Sequence, residues 1–141
     1  MSIESIELWH RRARPEPTAV NFGVQLGCHF EEINEMLDTL KFDGGYGNLR
    51  YELKLLASRL KTGEEVATIV DRKEFLDATA DQIVTAVGIG HCAGMRTAES
   101  IAEVNRSNWS KFDENGNPIF NADGKIMKGP NYKAPNLEGL Y

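Results

Sequence analysis

Residues 71–95 read DRKEFLDATADQIVTAVGIGHCAGM, and between Asp81 and Arg96 there is no Asp, Glu, Lys or Arg. Asp71 followed three residues later by Glu74 spells a capping box, and the apolar residues beyond it predict one helix running to about Met95. So few charges predict a helix buried centrally among others. Upstream, Leu26, Phe30, Ile33, Met36, Leu37 and Leu40 recur at three- and four-residue steps. They predict an amphipathic helix from about Thr18 to Leu40, closed by Asp43-Gly44-Gly45. Asn48 is placed to cap a further helix carrying Leu49, Leu53, Leu56 and Leu60, with Gly63 as its stop. Ile3 to Ala13 predicts a short first helix ended by Pro15 and Pro17, and Thr97 to Phe112 a fifth. Asn115-Gly116 and Asp123-Gly124 are turn signals, the second lying between Ile119-Phe120 and Ile126-Met127.

The expected fold is therefore all-α, a helical bundle of four to five helices. A small C-terminal β-hairpin near 118–128 and an irregular tail from Gly129 to Tyr141 complete it. One domain is expected over 1–141, with its helical core at about 18–112. The 141 residues are 41% hydrophobic and 26% charged, with sixteen Lys and Arg against twenty-one Asp and Glu. A net charge of −5 argues against a nucleic-acid partner, which favours a positive surface. No apolar run approaches the roughly 20 residues of a membrane span. Met1-Ser2-Ile3-Glu4 lacks the basic and apolar regions of a secretory leader, so the expectation is a cytoplasmic protein with no membrane partner. Two cysteines, Cys28 and Cys92, make no disulfide framework and read as small buried residues.

Glu31, Glu32, Glu35 and Asp38 share an arc of about 120° on the second helix, opposite the apolar set. Taken alone that arc also reads as a solvated face. On the fourth helix Asp77 and Asp81 stand four apart, with Glu74 about 60° away. They are flanked by Ala78, Ala80, Ile83, Val84 and Val87 rather than by a broad polar face. Two carboxylates 6 Å apart repel by about 3 kcal/mol at an effective dielectric near 20. Acidic arcs brought together in a bundle therefore need protons or cations. Hard oxygen ligands with room for water and phosphate suit Mg²⁺, or Mn²⁺. Neither acidic helix carries an E-x-x-H, the one such spacing being Glu7-Leu8-Trp9-His10 on the first helix, which speaks against a di-iron carboxylate bundle.

Glu32-Ile33-Asn34-Glu35 and the later Asp77-Ala78-Thr79-Ala80-Asp81 resemble the paired acidic motifs, E-x-x-E and E-x-x-D, of the MazG-like all-α nucleoside triphosphate pyrophosphohydrolases. That superfamily includes dimeric dUTPases, dCTP pyrophosphatases and phosphoribosyl-ATP pyrophosphohydrolases. The second motif departs at one place: Ala78 stands where the family has Glu, and Asp77 reaches the same face as Asp81 from one residue earlier. The run from Glu103 through Asn108, Trp109 and Lys111, followed by Asp123-Gly124-Lys125 and Lys128-Gly129-Pro130-Asn131-Tyr132, resembles a phage and bacterial branch. The likeness spans about residues 20–135.

The resemblance implies hydrolysis of (deoxy)nucleoside triphosphates to a monophosphate and pyrophosphate. It implies metal ligation by Glu32, Glu35, Asp77 and Asp81, with Glu31 as the base that deprotonates the attacking water. Lys111, Lys125 and Lys128 would meet phosphate charge, with Asn108 bonding to phosphate or sugar; each lysine alone also reads as a solvated surface charge. Family members imply a homodimer or homotetramer with sites near the subunit interface. Trp109, like Trp9 and Phe22, reads as core or interface before it reads as a nucleobase platform. The rival expectation is a non-catalytic helical bundle binding a metal or a protein partner.

Other signals fail on spacing. Cys28-His29 and His91-Cys92 lack zinc-ligand spacing. The loop opened by Asp113 has Pro118 and Gly124 where an EF-hand requires Gly and Glu. Gly88-Ile89-Gly90 follows no strand, so it is no dinucleotide loop.

Overall fold

A computed structural model describes residues 3–122 and 124–141. Five helices follow one another: α1 (Ile3–Ala13), α2 (Ala19–Asp38), α3 (Leu49–Thr62), α4 (Arg72–Cys92) and α5 (Thr97–Trp109). None is long and apolar enough to cross a membrane among the described residues. The chain divides into two compact units, Pro17–Val70 in one, Met1–Glu16 with Asp71–Tyr141 in the other.

The local signals explain most helix ends. Thr18 caps α2 reciprocally with Asn21: the Asn21 amide donates to Thr18 Oγ1 at 3.2 Å, and the Thr18 amide to Asn21 Oδ1 at 2.9 Å. Asp71 caps α4 by accepting from the Glu74 amide at 3.0 Å. Gly63 ends α3 at φ +78°, a left-handed conformation that costs glycine little. Asn48 precedes α3 as expected, but its side chain makes no capping bond.

In the Pro17–Val70 unit α2 packs on α3. Gly23, Gly27, Asn34 and Leu37 of α2 are buried, as are Ala57 and Leu60 of α3. A Cβ at Gly27 would lie 2.7 Å from the Ala57 carbonyl oxygen and 2.7 Å from Lys61 Cγ; one at Gly23 would lie 3.3 Å from the Leu60 carbonyl oxygen. The glycines thus bring the two backbones together, where dispersion and burial of Leu37 and Leu60 hold the pair.

The other unit is built on α5. On one side α1 packs against it. Phe112 is buried, stacked on Trp9 at 5.5 Å and edge-on to Trp109 at 5.6 Å. Trp9 Nε1 donates to the Asn108 carbonyl at 2.9 Å, and buried Asn105 donates to Ser5 Oγ at 3.0 Å, so the polar atoms of this core are used. Trp9 and Trp109 are half-buried and pack against the buried Phe112. The C-terminal residues, expected to be irregular, lie along α5. Lys133 bonds to Ser110, Asn136 to Glu103, and the Leu140 carbonyl accepts from the Arg96 amide at 2.9 Å.

Three expectations are corrected. The β-hairpin near 118–128 does not form: the described residues contain no strand, only an isolated antiparallel bridge between Phe120 and Ile126. The groups that would extend a ladder are spent elsewhere. Pro118 has no N–H to give. The Asn117 amide and carbonyl are taken by Asp113, and the Gly129 amide donates to the Lys111 carbonyl at 3.0 Å. Asp123, half of the turn signal, lies outside the described residues. Second, α4 is not central, for it has no buried residue. Leu76 and Val84 keep 70% and 67% of their surface exposed. Among the described helices of its unit α4 packs on α5 alone, beside the turn that joins them. Cys92 is likewise exposed and Cys28 half-buried, rather than both buried.

Gly27→Ala is expected to destabilise the chain by about 1–3 kcal/mol through overpacking, although replacing a mid-helix glycine otherwise gains up to about 1 kcal/mol. Urea unfolding of the two proteins checks it, and an unchanged midpoint would contradict the close approach. The hydrogen bond from Arg106, then that from the Asn136 amide, lowers the Glu103 carboxyl from 4.5 to about 2. Because the folded value is depressed, the stabilisation is complete above the ordinary value and is lost as pH falls through about 2. The Asn136 amide resonance should therefore titrate with a midpoint near 2, not 4.5.

Candidate functional site

The acidic residues of α2 divide into two kinds. Glu31 and Asp38 have cations from α3: Lys61 Nζ pairs with Glu31, and the Arg50 guanidinium with Asp38. Lys61 runs its methylenes past Gly27 before its ammonium reaches Glu31, so the helix crossing and this ion pair depend on one another. Glu32 and Glu35 stand between the two pairs in sequence, both exposed. Three residues apart, they share one side of the helix. Among the described residues neither has an ion-pair or hydrogen-bond partner for its carboxylate.

Asn34, within the same motif, points the other way. It is 8% exposed, and its Oδ1 accepts no hydrogen bond from the described residues. The Nε of Arg50 is also buried and unused. The otherwise apolar packing of this helix pair thus includes two polar atoms with no partner among the described residues.

On α4, Asp77 and Asp81 are exposed, one turn apart, and carry no ion-pair partner among the described residues. The uncharged polar side chains around them fold back onto the helix: Thr79 Oγ1 donates to the Phe75 carbonyl at 2.7 Å, and Thr85 Oγ1 to the Asp81 carbonyl at 2.9 Å. Beyond the charged first turn of Arg72, Lys73 and Glu74, the two aspartates are the acidic residues of a helix surface that also exposes Leu76, Ile83, Val84 and Val87.

The proposed phosphate-binding residues fall at the end of α5 and in the loop after it. Asn108 is fixed through its carbonyl by Trp9, and Lys111 through its carbonyl by the Gly129 amide, and neither side chain has a partner among the described residues. Lys125 and Lys128 are exposed, with the Lys128 ammonium 4.7 Å from the Tyr132 ring centroid.

Among the described residues no three His, Cys, Asp or Glu side chains are grouped as a metal ion would need. Pairs are present instead, Glu32 with Glu35 and Asp77 with Asp81. Their chemistry fits Mg²⁺, which takes one or two carboxylates and completes its shell with water and substrate phosphate. Lys61, Arg50 and Asn34 were invisible to motif reading, because their roles depend on how α2 and α3 align. The one available signal was the spacing of Gly23 and Gly27, which marks the seam.

Comparison with known proteins returns no match, whether to protein-family models, to curated proteins or to solved structures.

Replacing an unsatisfied buried amide by an apolar side chain removes a desolvation cost. Asn34→Leu should therefore raise stability by about 1 kcal/mol. A lower thermal midpoint would show that Asn34 is satisfied in solution.

Proposed function

We propose that the protein is a Mg²⁺-dependent nucleoside triphosphate pyrophosphohydrolase, with Mn²⁺ able to replace Mg²⁺. The observation that carries this reading is the contrast along α2: Glu31 and Asp38 are neutralised from within the chain, while Glu32 and Glu35 have no cation among the described residues. Asp77 and Asp81, also without an ion-pair partner among the described residues, are the second such set. Unpaired carboxylates held close together favour a divalent ion, and the paired motifs resemble the MazG-like pattern.

In this reading Glu32 and Glu35 on α2, and Asp77 and Asp81 on α4, are the carboxylates that would hold Mg²⁺, which would supply charge to phosphate oxygens and acidify a water. Glu31, held by the Lys61 ammonium, would be the carboxylate that takes the proton of the water attacking the α-phosphorus. Pyrophosphate leaves, and the nucleoside monophosphate remains. Lys111, Lys125 and Lys128 meet the negative charge that spreads over the phosphate oxygens, and the Asn108 side chain bonds to phosphate or sugar. Asp77 takes the place that Ala78 leaves vacant.

A homodimer or homotetramer belongs to the same proposal. The uncovered apolar side chains of α4 are what an isolated chain would need to hide. Cytoplasmic residence, with nucleotide the partner rather than nucleic acid or membrane, accords with the acidic composition. That same apolar face favours one rival, a non-catalytic bundle that binds a metal or another protein.

Incubation with each dNTP and NTP in Mg²⁺ or Mn²⁺ is expected to release pyrophosphate. Glu35→Gln and Asp81→Asn should each lower kcat at least about a hundredfold while leaving the helical circular dichroism unchanged. No turnover of any nucleotide by folded protein, with a large metal-dependent rise in melting temperature, would select the rival.

A further inference from the structure

Residues 133–141 are held to α5 almost wholly through their own main chain. The Lys133 amide donates to Ser110 Oγ at 2.9 Å, and that hydroxyl is 3.3 Å from the Lys133 carbonyl. Arg106 Nη2 donates to the Ala134 carbonyl at 3.1 Å, and the Asn136 amide to Glu103 Oε1 at 2.8 Å. The Leu140 carbonyl accepts from the Arg96 amide at 2.9 Å, closing the path at the N-terminal end of α5. Taking Arg96 as zero, Glu103, Arg106 and Ser110 fall near 340°, 280° and 320°, within one arc of about 80°. The tail thus runs antiparallel to α5, from one cap to the other.

Apolar burial adds little to this attachment. Leu137 is 37% exposed and Tyr141 75%, the tyrosine hydroxyl bonding within the tail to Glu138. Elements held by exposed hydrogen bonds and few apolar contacts open at low free energy. The attachment is also concentrated. Glu103 receives both Arg106 Nε at 2.8 Å and Nη2 at 2.7 Å, and the pair then presents one acceptor and one donor to the tail. Away from these bonds, α5 is fixed by the Trp9, Trp109 and Phe112 cluster, whose ring contacts are among those three residues.

We propose that residues 133–141 form a releasable strap that opens as one unit from α5, with the Glu103–Arg106 pair as its latch and the α1–α5 core staying folded. Opening bares the Glu103, Arg106 and Ser110 polar groups that hold the strap on α5. The strap is a conformational device independent of the metal chemistry proposed above.

Hydrogen exchange of the full chain at single-amide resolution tests it. The hydrogen-bonded amides of Lys133, Asn136, Glu138 and Leu140 should exchange at similar rates once corrected for intrinsic chemistry, and at least about tenfold faster than the interior amides of α5. Loss of a charge-assisted bond should make Glu103→Gln raise all four rates by about tenfold and leave α5 unchanged. A rise confined to Asn136, or an equal rise along α5, overturns the proposal. Should Glu103→Gln fail to fold, Ser110→Ala carries the same test, since loosening at Lys133 must also speed Leu140, at the other end of the strap.

Discussion

Where α2 crosses α3, a Cβ at Gly27 would come 2.7 Å from a backbone oxygen of the opposite helix. Most of what is distinctive in the Pro17–Val70 unit follows from that approach. Only at such a separation can the Lys61 stem lie over Gly27 and bring its ammonium to Glu31, half-buried on α2. The same alignment puts Arg50 beside Asp38 at the other end of the pair. Two carboxylates are neutralised by the packing itself, and Glu32 and Glu35 become the residual negative charge. Were α2 rotated by one residue, each of these side chains would turn by about 100°, and the division between paired and unpaired acids would be lost.

The unit around α5 is governed by a different economy. Its core is aromatic and small, and polar groups at its edge are consumed by specific partners: Trp9 Nε1 by the Asn108 carbonyl, Asn105 by Ser5. The loop after α5 follows the same logic. Arg12 and Arg14 at the end of α1 donate to the Asn115 and Gly124 carbonyls, and Arg14 stacks over Phe120 at 4.4 Å. Side chains from α1 thereby organise a segment that has too few free backbone groups to build a sheet.

Apolar surface and unpaired charge meet on α4. A helix whose threonines bond to its own carbonyls and whose Leu76, Ile83 and Val84 are uncovered has little reason to stay in water. Asp77 and Asp81 on that helix would be costly to bury without a cation. A second subunit over the apolar side chains and a divalent ion at the aspartates would relieve both costs, which is why oligomer and metal belong to one functional proposal.

Local chemistry in the sequence determined the elements. Pro15 and Pro17, the Asp71 cap and Gly63 each act through the backbone within a turn of their own position, so the five helices and most of their ends were legible. The carboxylate motifs were legible too, because residues three or four apart on a helix must share a side. Tertiary structure decided what depends on residues distant in sequence: which glutamates have a cation, since Lys61 lies thirty positions beyond Glu31; whether Ile119–Met127 becomes a hairpin, since Asp113 and Lys111 compete for the groups a ladder needs; and the exposure of α4, since a low charge density says that a helix seeks cover without saying what supplies it. The tail taught the same lesson, its order coming from α5 through main-chain bonds that leave no mark in its own side chains.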